Sequence, residues 1–381
     1  MASIRFPART SDKANYGRRR PRLEVSMNSH SRQRNARVFG LALVALLGMG
    51  DLLTSCSATS SYASPPASGR SSQGSGEALV PAGSLPPASF QGAVVPASSV
   101  APTAVSLIDG VPARGFVDLE VYELGNPSVI SALESAKRRG VVVRIILDAT
   151  ERESKVSGPE LHSNGLAVEM MRVPGGIDHV KLLIAGSTVL MGGVNLGTGS
   201  SYTTDMDVEL PSSYLQNALS IFNTDWLAAG VDASPANGQY GPFVTGSAIE
   251  PAVLGVVDAA STRSRCYVAA NYLSDWTIRE ALVQAARRGV AVSVLLNPTA
   301  YGEGAAASAL RAGGAQVEVA PPSPYLHAKL LACKTTSGAW SGVVGSANFS
   351  YDGMKVNHEL DLVVSGELAG EVGRWVRQAV G

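Results

Sequence analysis

The sequence predicts an α/β protein made of two similar α/β/α domains related by a pseudo-twofold axis. Three observations carry this. A strand–loop–helix–strand pattern occurs twice, as VDLEVYELGNPSVISALESAKRRGVVVRIILDAT (117–150) and CYVAANYLSDWTIREALVQAARRGVAVSVLLNPT (266–299). Each copy continues in the same order: a strand carrying His-x-Lys, a Gly/Asn turn, an acidic strand, and a closing helix with Trp226 or Trp375. The repeat, roughly 150 residues, is too long for a solenoid unit.

Residues 1–56 read as a basic leader. Ten of the 31 basic and three of the 31 acidic residues lie there, leaving 21 against 28 and a formal charge of −7 from Ser57 onward. The apolar run Val38–Leu47 follows Arg32, Arg34 and Arg37, the order of an export signal, and is short for a membrane span. Leu53-Thr54-Ser55-Cys56 resembles the lipobox of bacterial lipoproteins, which implies lipidation at Cys56 and anchoring at the outer face of the cytoplasmic membrane. Residues 57–104 are rich in Ser, Ala, Pro and Gly and are expected to be a disordered tether. The N-terminal domain is then 105–235 and the C-terminal domain 236–381.

Within each copy the helices space apolar residues at helical intervals, as in Ile130, Leu133 and Ala136, and the Val-rich runs 141–147 and 290–296 read as buried strands. Gly140 and Gly289 follow Arg pairs, the composition of a helix C-terminus. A short return from helix to strand implies a parallel pair. Three cysteines exclude a disulfide scaffold and a four-cysteine zinc site. With Cys56 lipidated, Cys266 and Cys333 remain, either as a bridge or as two buried thiols.

The chemistry lies in His179-Val180-Lys181 with Asn195, and in His327-Ala328-Lys329 with Ser346 and Asn348. On a strand, His and Lys two apart share a face. Two of the four histidines after Cys56 sit at equivalent positions of a repeat, each two residues before a Lys. Facing each other, one neutral imidazole could attack phosphorus and a protonated one could donate to the leaving oxygen. Lys and Asn would surround the phosphoryl oxygens, so no cofactor or metal is required, and no acidic or Cys/His cluster with metal spacing is visible. Aligning Asn357-His358-Glu359-Leu360 with Asp205-Met206-Asp207-Val208 makes Glu359 and Asp207 candidates to hold imidazole Nδ1–H. Tyr202, Trp276 and Tyr325 are candidates to line a lipid-facing cleft.

Together these motifs resemble the phospholipase D superfamily, with LHAKLL (326–331) and VVGSANFS (343–350) its most specific stretches. The resemblance implies a phosphodiesterase that passes through a covalent phospho-histidine at a cleft between the halves, with His179 as nucleophile and His327 as acid. Its signature Asp falls at Gly186 and Lys334, and its Gly-Ser-x-Asn serine at Gly193 in the first copy. The expected reaction is metal-independent hydrolysis of phospholipid headgroups. The alternatives are a cardiolipin synthase-like phosphatidyl transferase, a nuclease, and a degenerate binding module. The charge of −7 makes nucleic acid an unlikely partner.

Overall fold

In the computed structural model, residues 92–298 and 303–380 are described, all within the unit Ser75–Gly381. The basic leader, Cys56 and most of the tether lie outside them. Among the described residues no helix is long and apolar enough to cross a membrane.

The first half runs β1 (Ala93–Pro96), α1 (Ala97–Gly110), β2 (Phe116–Val121), α2 (Pro127–Arg138), β3 (Val142–Asp148), α3 (Ser154–Ser163), β4 (Ala167–Met171), β5 (Lys181–Ala185), β6 (Thr188–Gly192), β7 (Thr203–Thr204), β8 (Met206–Leu210) and α4 (Leu215–Gly230). The second runs β9 (Gly238–Tyr240), β10 (Phe243–Thr245), α5 (Ile249–Asp258), β11 (Arg265–Ala270), α6 (Trp276–Arg287), β12 (Ala291–Leu296), α7 (Glu303–Ala312), β13 (Gln316–Val319), β14 (Tyr325–Leu326), β15 (Lys329–Lys334), β16 (Trp340–Gly345), α8 (Tyr351–Lys355), β17 (Leu360–Ser365) and α9 (Gly366–Val380).

The sheets are ordered β1-β8-β6-β5-β2-β3-β4 and β13-β12-β11-β15-β16-β17-β10-β9. Apart from β9, the second is the first read backwards. In both, the duplicated unit forms the expected parallel pair, β2 with β3 and β11 with β12, and the His-x-Lys strand joins antiparallel to β2 or β11. One core joins the facing sides of both sheets and buries α4 and α9, through residues such as Ile221, Phe222, Val372 and Val376. Separate cores cover the outer faces under α1–α2 and α5–α6. This is the α/β/α arrangement the sequence predicts.

Local chemistry repeats with the topology. Asn126 caps α2 by accepting from Ser128 and Val129 N–H, and Asp275 caps α6 by accepting from Ile278 N–H. Gly140 and Gly289 adopt φ of +84° and +90°, which end both helices where a side chain would be strained. The second Arg of each pair clamps the end of the preceding helix: Arg139 donates to Ile108 O at 2.8 Å and Arg288 to Val257 O at 2.9 Å. Cation and helix C-terminus attract each other.

One boundary is corrected. The tether does not extend to residue 104, because β1 pairs with β8 and α1 buries Ala97, Val100, Ala104 and Ile108 on the first sheet. Intervals of three and four place these small apolar residues on one helix face, although the composition around them is that of a linker.

Cys266 and Cys333 form a disulfide between β11 and β15, directly opposite in register with Cα atoms 4.1 Å apart. The bridge closes a 67-residue separation, which corresponds to about 2–4 kcal/mol of stabilisation. Replacing both cysteines with Ala should lower Tm by several degrees, and dithiothreitol should lower wild-type Tm while leaving the double variant unmoved. Two titratable thiols at these positions under denaturing, non-reducing conditions would reject the bridge.

Candidate active site

Each motif histidine is placed by a backbone hydrogen bond from the other half. His179 N–H donates to His358 O at 2.8 Å, and His358 N–H returns to Ile177 O at 2.9 Å. His327 N–H donates to Thr204 O at 3.0 Å, next to the parallel pairing of β7 with β14. The residue after each accepting carbonyl is a buried carboxylate, Glu359 in one case and Asp205 in the other. The side chains then pair across the halves: His179 Nδ1 lies 2.8 Å from Glu359 Oε2, and His327 Nδ1 lies 2.9 Å from Asp205 Oδ2. A carboxylate at Nδ1 turns Nε2 of His179 away from Glu359, while at His327 the Lys329 ammonium lies 2.8 Å from Nδ1 and 3.2 Å from Nε2.

The lysines sit just inside. Lys181 donates to His179 O at 2.5 Å, and Lys329 donates to His327 O while lying 3.6 Å from Asp205. Both lysines are almost fully buried. Tyr122 stands edge-on to His179 at 5.2 Å, and Tyr325 flanks His327 at 6.4 Å. Ser346 donates to Glu359 at 2.6 Å and accepts from Leu360 N–H. The first half has Gly193 at this position, where a Cβ would come within 2.5 Å of Asp205 Oδ2. The missing serine is thus replaced by close approach of the carboxylate itself. Asn195 and Asn348 follow the β6 and β16 turns, each with its side-chain carbonyl oxygen buried and unpartnered, while the Asn195 amide is drawn to Glu123.

Asp207 does not hold an imidazole. It accepts the Val194 N–H at 3.0 Å, and Asp361 accepts the Ala347 N–H at the same distance. The acidic strands therefore align Met206 with Leu360, two residues away from the sequence alignment, and Asp205 takes the role expected of Asp207. Aligning the starts of β8 and β17 would have found it. Asp207 and Asp361 instead fix the turns that present Asn195 and Asn348.

The absent signature Asp lies away from this chemistry. Gly186, at φ +59°, turns the hairpin between β5 and β6. Lys334 ends β15 with its ammonium over the Trp340 ring, five residues and about 17 Å beyond Lys329. The expectation that no acidic/His cluster has metal-like spacing holds along the chain but fails in space: Glu120, Asp178 and His358 bring ligand atoms within 4.8 Å of one another.

Burial sets the charge states. It pulls the His179 imidazole well below its usual range, with Lys181 and then Lys329 adding to the effect, and it pulls His327 down to about 4 with Lys329 assisting and Asp205 opposing. Both rings are neutral at neutral pH without an anion. Burial lowers Lys181 to about 7 against the pull of Glu359, and raises Glu359 to about 7 against Lys181 and Ser346. At Asp205 burial acts upward, but Lys329 and the His327 hydrogen bond outweigh it and hold the carboxyl below its usual value. Each lysine acts on the histidine of the other half, so the two motifs share one centre.

With that geometry in view, comparison with known proteins decides the family. Residues 112–226 and 257–379 match the family described as cardiolipin synthase, PLD-like domain, more than half of the chain and both copies. The chain belongs to the phospholipase D-like family. Two curated relatives named phospholipase D are similar over part of the chain: that of Rickettsia bellii (strain RML369-C) is 30% identical over 115 residues, 28% of this chain and 57% of the relative. That of Rickettsia conorii (strain ATCC VR-613 / Malish 7) is 31% identical over 108 residues, 26% of this chain and 54% of the relative. The chain therefore spans about half the length of the curated relatives it matches. Polyphosphate kinase from Porphyromonas gingivalis shares the fold, with a TM-score of 0.56 at 15% identity over 78% of this chain and 49% of that one. Membership of the phospholipase D-like family places this protein in a phosphodiesterase superfamily.

The carboxyls that hold the turns give a pH signature. Burial raises Asp207 to about 8 and Asp361 to about 7 from the usual carboxyl value of 3.8. The folded state keeps protons that the unfolded chain releases, so this contribution is present in acid and lost as pH rises through the folded values. Asp207→Asn retains an acceptor for Val194 N–H without the ionisation. Its Tm relative to wild type should rise from pH 5 to pH 8 by at least about 3 °C, near 1 kcal/mol for a domain of this size. A difference that stays constant or falls over that range would show that Asp207 is ionised when folded.

Proposed function

We propose that the protein hydrolyses phospholipid headgroups through a covalent phospho-histidine on His179, with His327 as the general acid. The observation that carries this reading is the crossed pairing of two imidazoles with two carboxylates beside two buried lysines. Neutral His179, held at Nδ1 by Glu359, has its Nε2 lone pair for attack on phosphorus. The P–N bond forms as the P–O bond to the headgroup breaks, and His327 gives the departing oxygen its proton. His327 then takes a proton from water, whose oxygen attacks phosphorus, breaks the P–N bond and frees His179. Lys181, Lys329 and the Asn195 and Asn348 amides stabilise charge on the phosphoryl oxygens. Burial and then the Lys329 field disfavour protonated His327, and the negative charge of a bound phosphodiester acts against both to favour the charged acid.

The lipid substrate class is supported by exposed aromatic side chains. Tyr202 and Trp276 are 79% and 66% exposed, Tyr325 lies beside His327, and exposed Tyr351 follows Asn348 by three residues. Rings of this kind suit the boundary between apolar chains and water. The expected Cys56 anchor would hold such a rim at a bilayer. The family description favours a second reading, transfer of the phosphatidyl group to an alcohol, which uses the same first step.

Incubating the full chain with a phospholipid panel, with and without a primary alcohol, separates these readings. Headgroup release to phosphatidic acid is expected; predominant phosphatidyl-alcohol would identify the transferase, and cleavage of nucleic acid alone would reject a lipid substrate. His179→Ala and His327→Ala should each lower turnover by at least about 100-fold. A p-nitrophenyl phosphodiester, whose leaving group needs no proton, should restore a single burst of p-nitrophenolate per chain to His327→Ala, whose second step still lacks its base, but not to His179→Ala. Full activity in either variant would overturn the mechanism.

A further inference from the structure

Behind the His179–Glu359 pair lies a second polar cluster that phosphoryl transfer does not use. Glu120 is on β2, Asp178 directly precedes His179, Asp225 is on α4, and His358 directly precedes Glu359. All four are buried, none more than 2% exposed. His358 Nε2 lies 3.1 Å from Asp225 Oδ2 and 3.5 Å from Glu120 Oε1. Asp178 completes a set with Glu120 and His358 whose ligand atoms all lie within 4.8 Å of one another.

Hydrogen bonding does not account for this arrangement. Both Glu120 oxygens, Asp178 Oδ2, Asp225 Oδ2 and His358 Nε2 are buried without a hydrogen-bond partner. The nearby cations are committed elsewhere: Arg144 makes two hydrogen bonds to Asp118, and Lys181 donates to the His179 carbonyl. Three carboxylates around one imidazole leave excess negative charge in a dry interior, which is costly unless a cation or protons offset it.

The separations fit a shared cation. Two donor atoms each about 2.1 Å from one metal stand about 3.0 Å apart at a right angle and about 3.4 Å apart at the tetrahedral angle. The His358–Glu120 separation of 3.5 Å matches the tetrahedral edge, and Asp178 lies within 4.8 Å of both. We propose that Glu120, Asp178 and His358 form a binding site for one divalent transition-metal cation of the zinc or manganese class, with Asp225 beside the histidine. Imidazole nitrogen beside carboxylate oxygens selects that class over calcium and magnesium, which prefer all-oxygen sites.

The role of such an ion is structural. Two ligands come from the first half and His358 from the second, so the ion crosslinks the halves at the Asp178–His358 bridge. That bridge carries the backbone bonds that seat His179 beside Glu359. No step of phosphoryl transfer passes through the ion, and the site stands whether or not His179 is a nucleophile.

Elemental analysis of the full chain, purified without metal-affinity resin or chelator and incubated with Zn²⁺ or Mn²⁺, tests this directly. About one ion per chain is expected, and its removal with dipicolinate should lower Tm, with recovery on adding the ion back. Loading the stripped protein with Co²⁺ should give visible d–d bands of nitrogen/oxygen coordination. His358→Ala should reduce affinity by at least about tenfold. If that variant does not fold, Glu120→Gln, nearly isosteric, reads the same loss. Background metal content in the wild type after loading, or unchanged affinity in the folded variants, would overturn the proposal. None of these readouts depends on activity, so the hydrolase reading and the metal site can fail separately.

Discussion

The centre of this protein depends on a reciprocal exchange between its halves. Each motif histidine donates its backbone N–H to a carbonyl of the other half, and the next residue there is the carboxylate that meets its ring. A main-chain bond thus sets the register and a side-chain bond uses it. A hydrogen bond to a charged partner contributes about 1.5–3 kcal/mol. That magnitude makes the pairing a condition for docking the halves as well as for orienting the rings. Shared burial of the facing sheet sides around α4 and α9 then holds the arrangement closed.

Burial serves two ends at this centre. It keeps the imidazoles neutral and pulls Lys181 down to about 7. It also makes every uncompensated charge expensive, so the carboxylates must be matched closely. Glu359 is satisfied by His179, Ser346 and Asn357, while Asp205 has His327, Lys329 and its neighbour's N–H. The two halves reach the same electrostatic result with different residues.

The parts of this architecture that were legible in the sequence are those coded locally. The duplicated strand–helix–strand, the glycine helix stops, the His-x-Lys strands and the following Asn residues depend on spacing within one segment. Glu359 was found because it lies in the acidic strand of the second copy. Asp205 was missed because a gapless alignment equated Asp207 with Glu359, and only the pairing of β8 with β6 and of β17 with β16 corrects the offset. Helix α1 was hidden because its buried face is made largely of alanine and valine within a Ser/Ala/Pro-rich stretch. The Glu120–Asp178–Asp225–His358 cluster could not be read at all, because its members come from four segments that meet only once both halves have folded.

The unlike partners of the two histidines have a consequence of their own. If two identical copies met about a true symmetry axis, both rings would see the same surroundings, and a substrate could bind in either of two equivalent orientations. Here one ring faces a glutamate backed by a serine hydroxyl, and the other faces an aspartate seated against a glycine. Joining both copies in one chain lets the two sides drift apart in sequence while remaining matched in space. The site thereby acquires a direction, so that under the proposed phosphodiesterase reading the end that departs is chosen by the protein rather than by chance of entry.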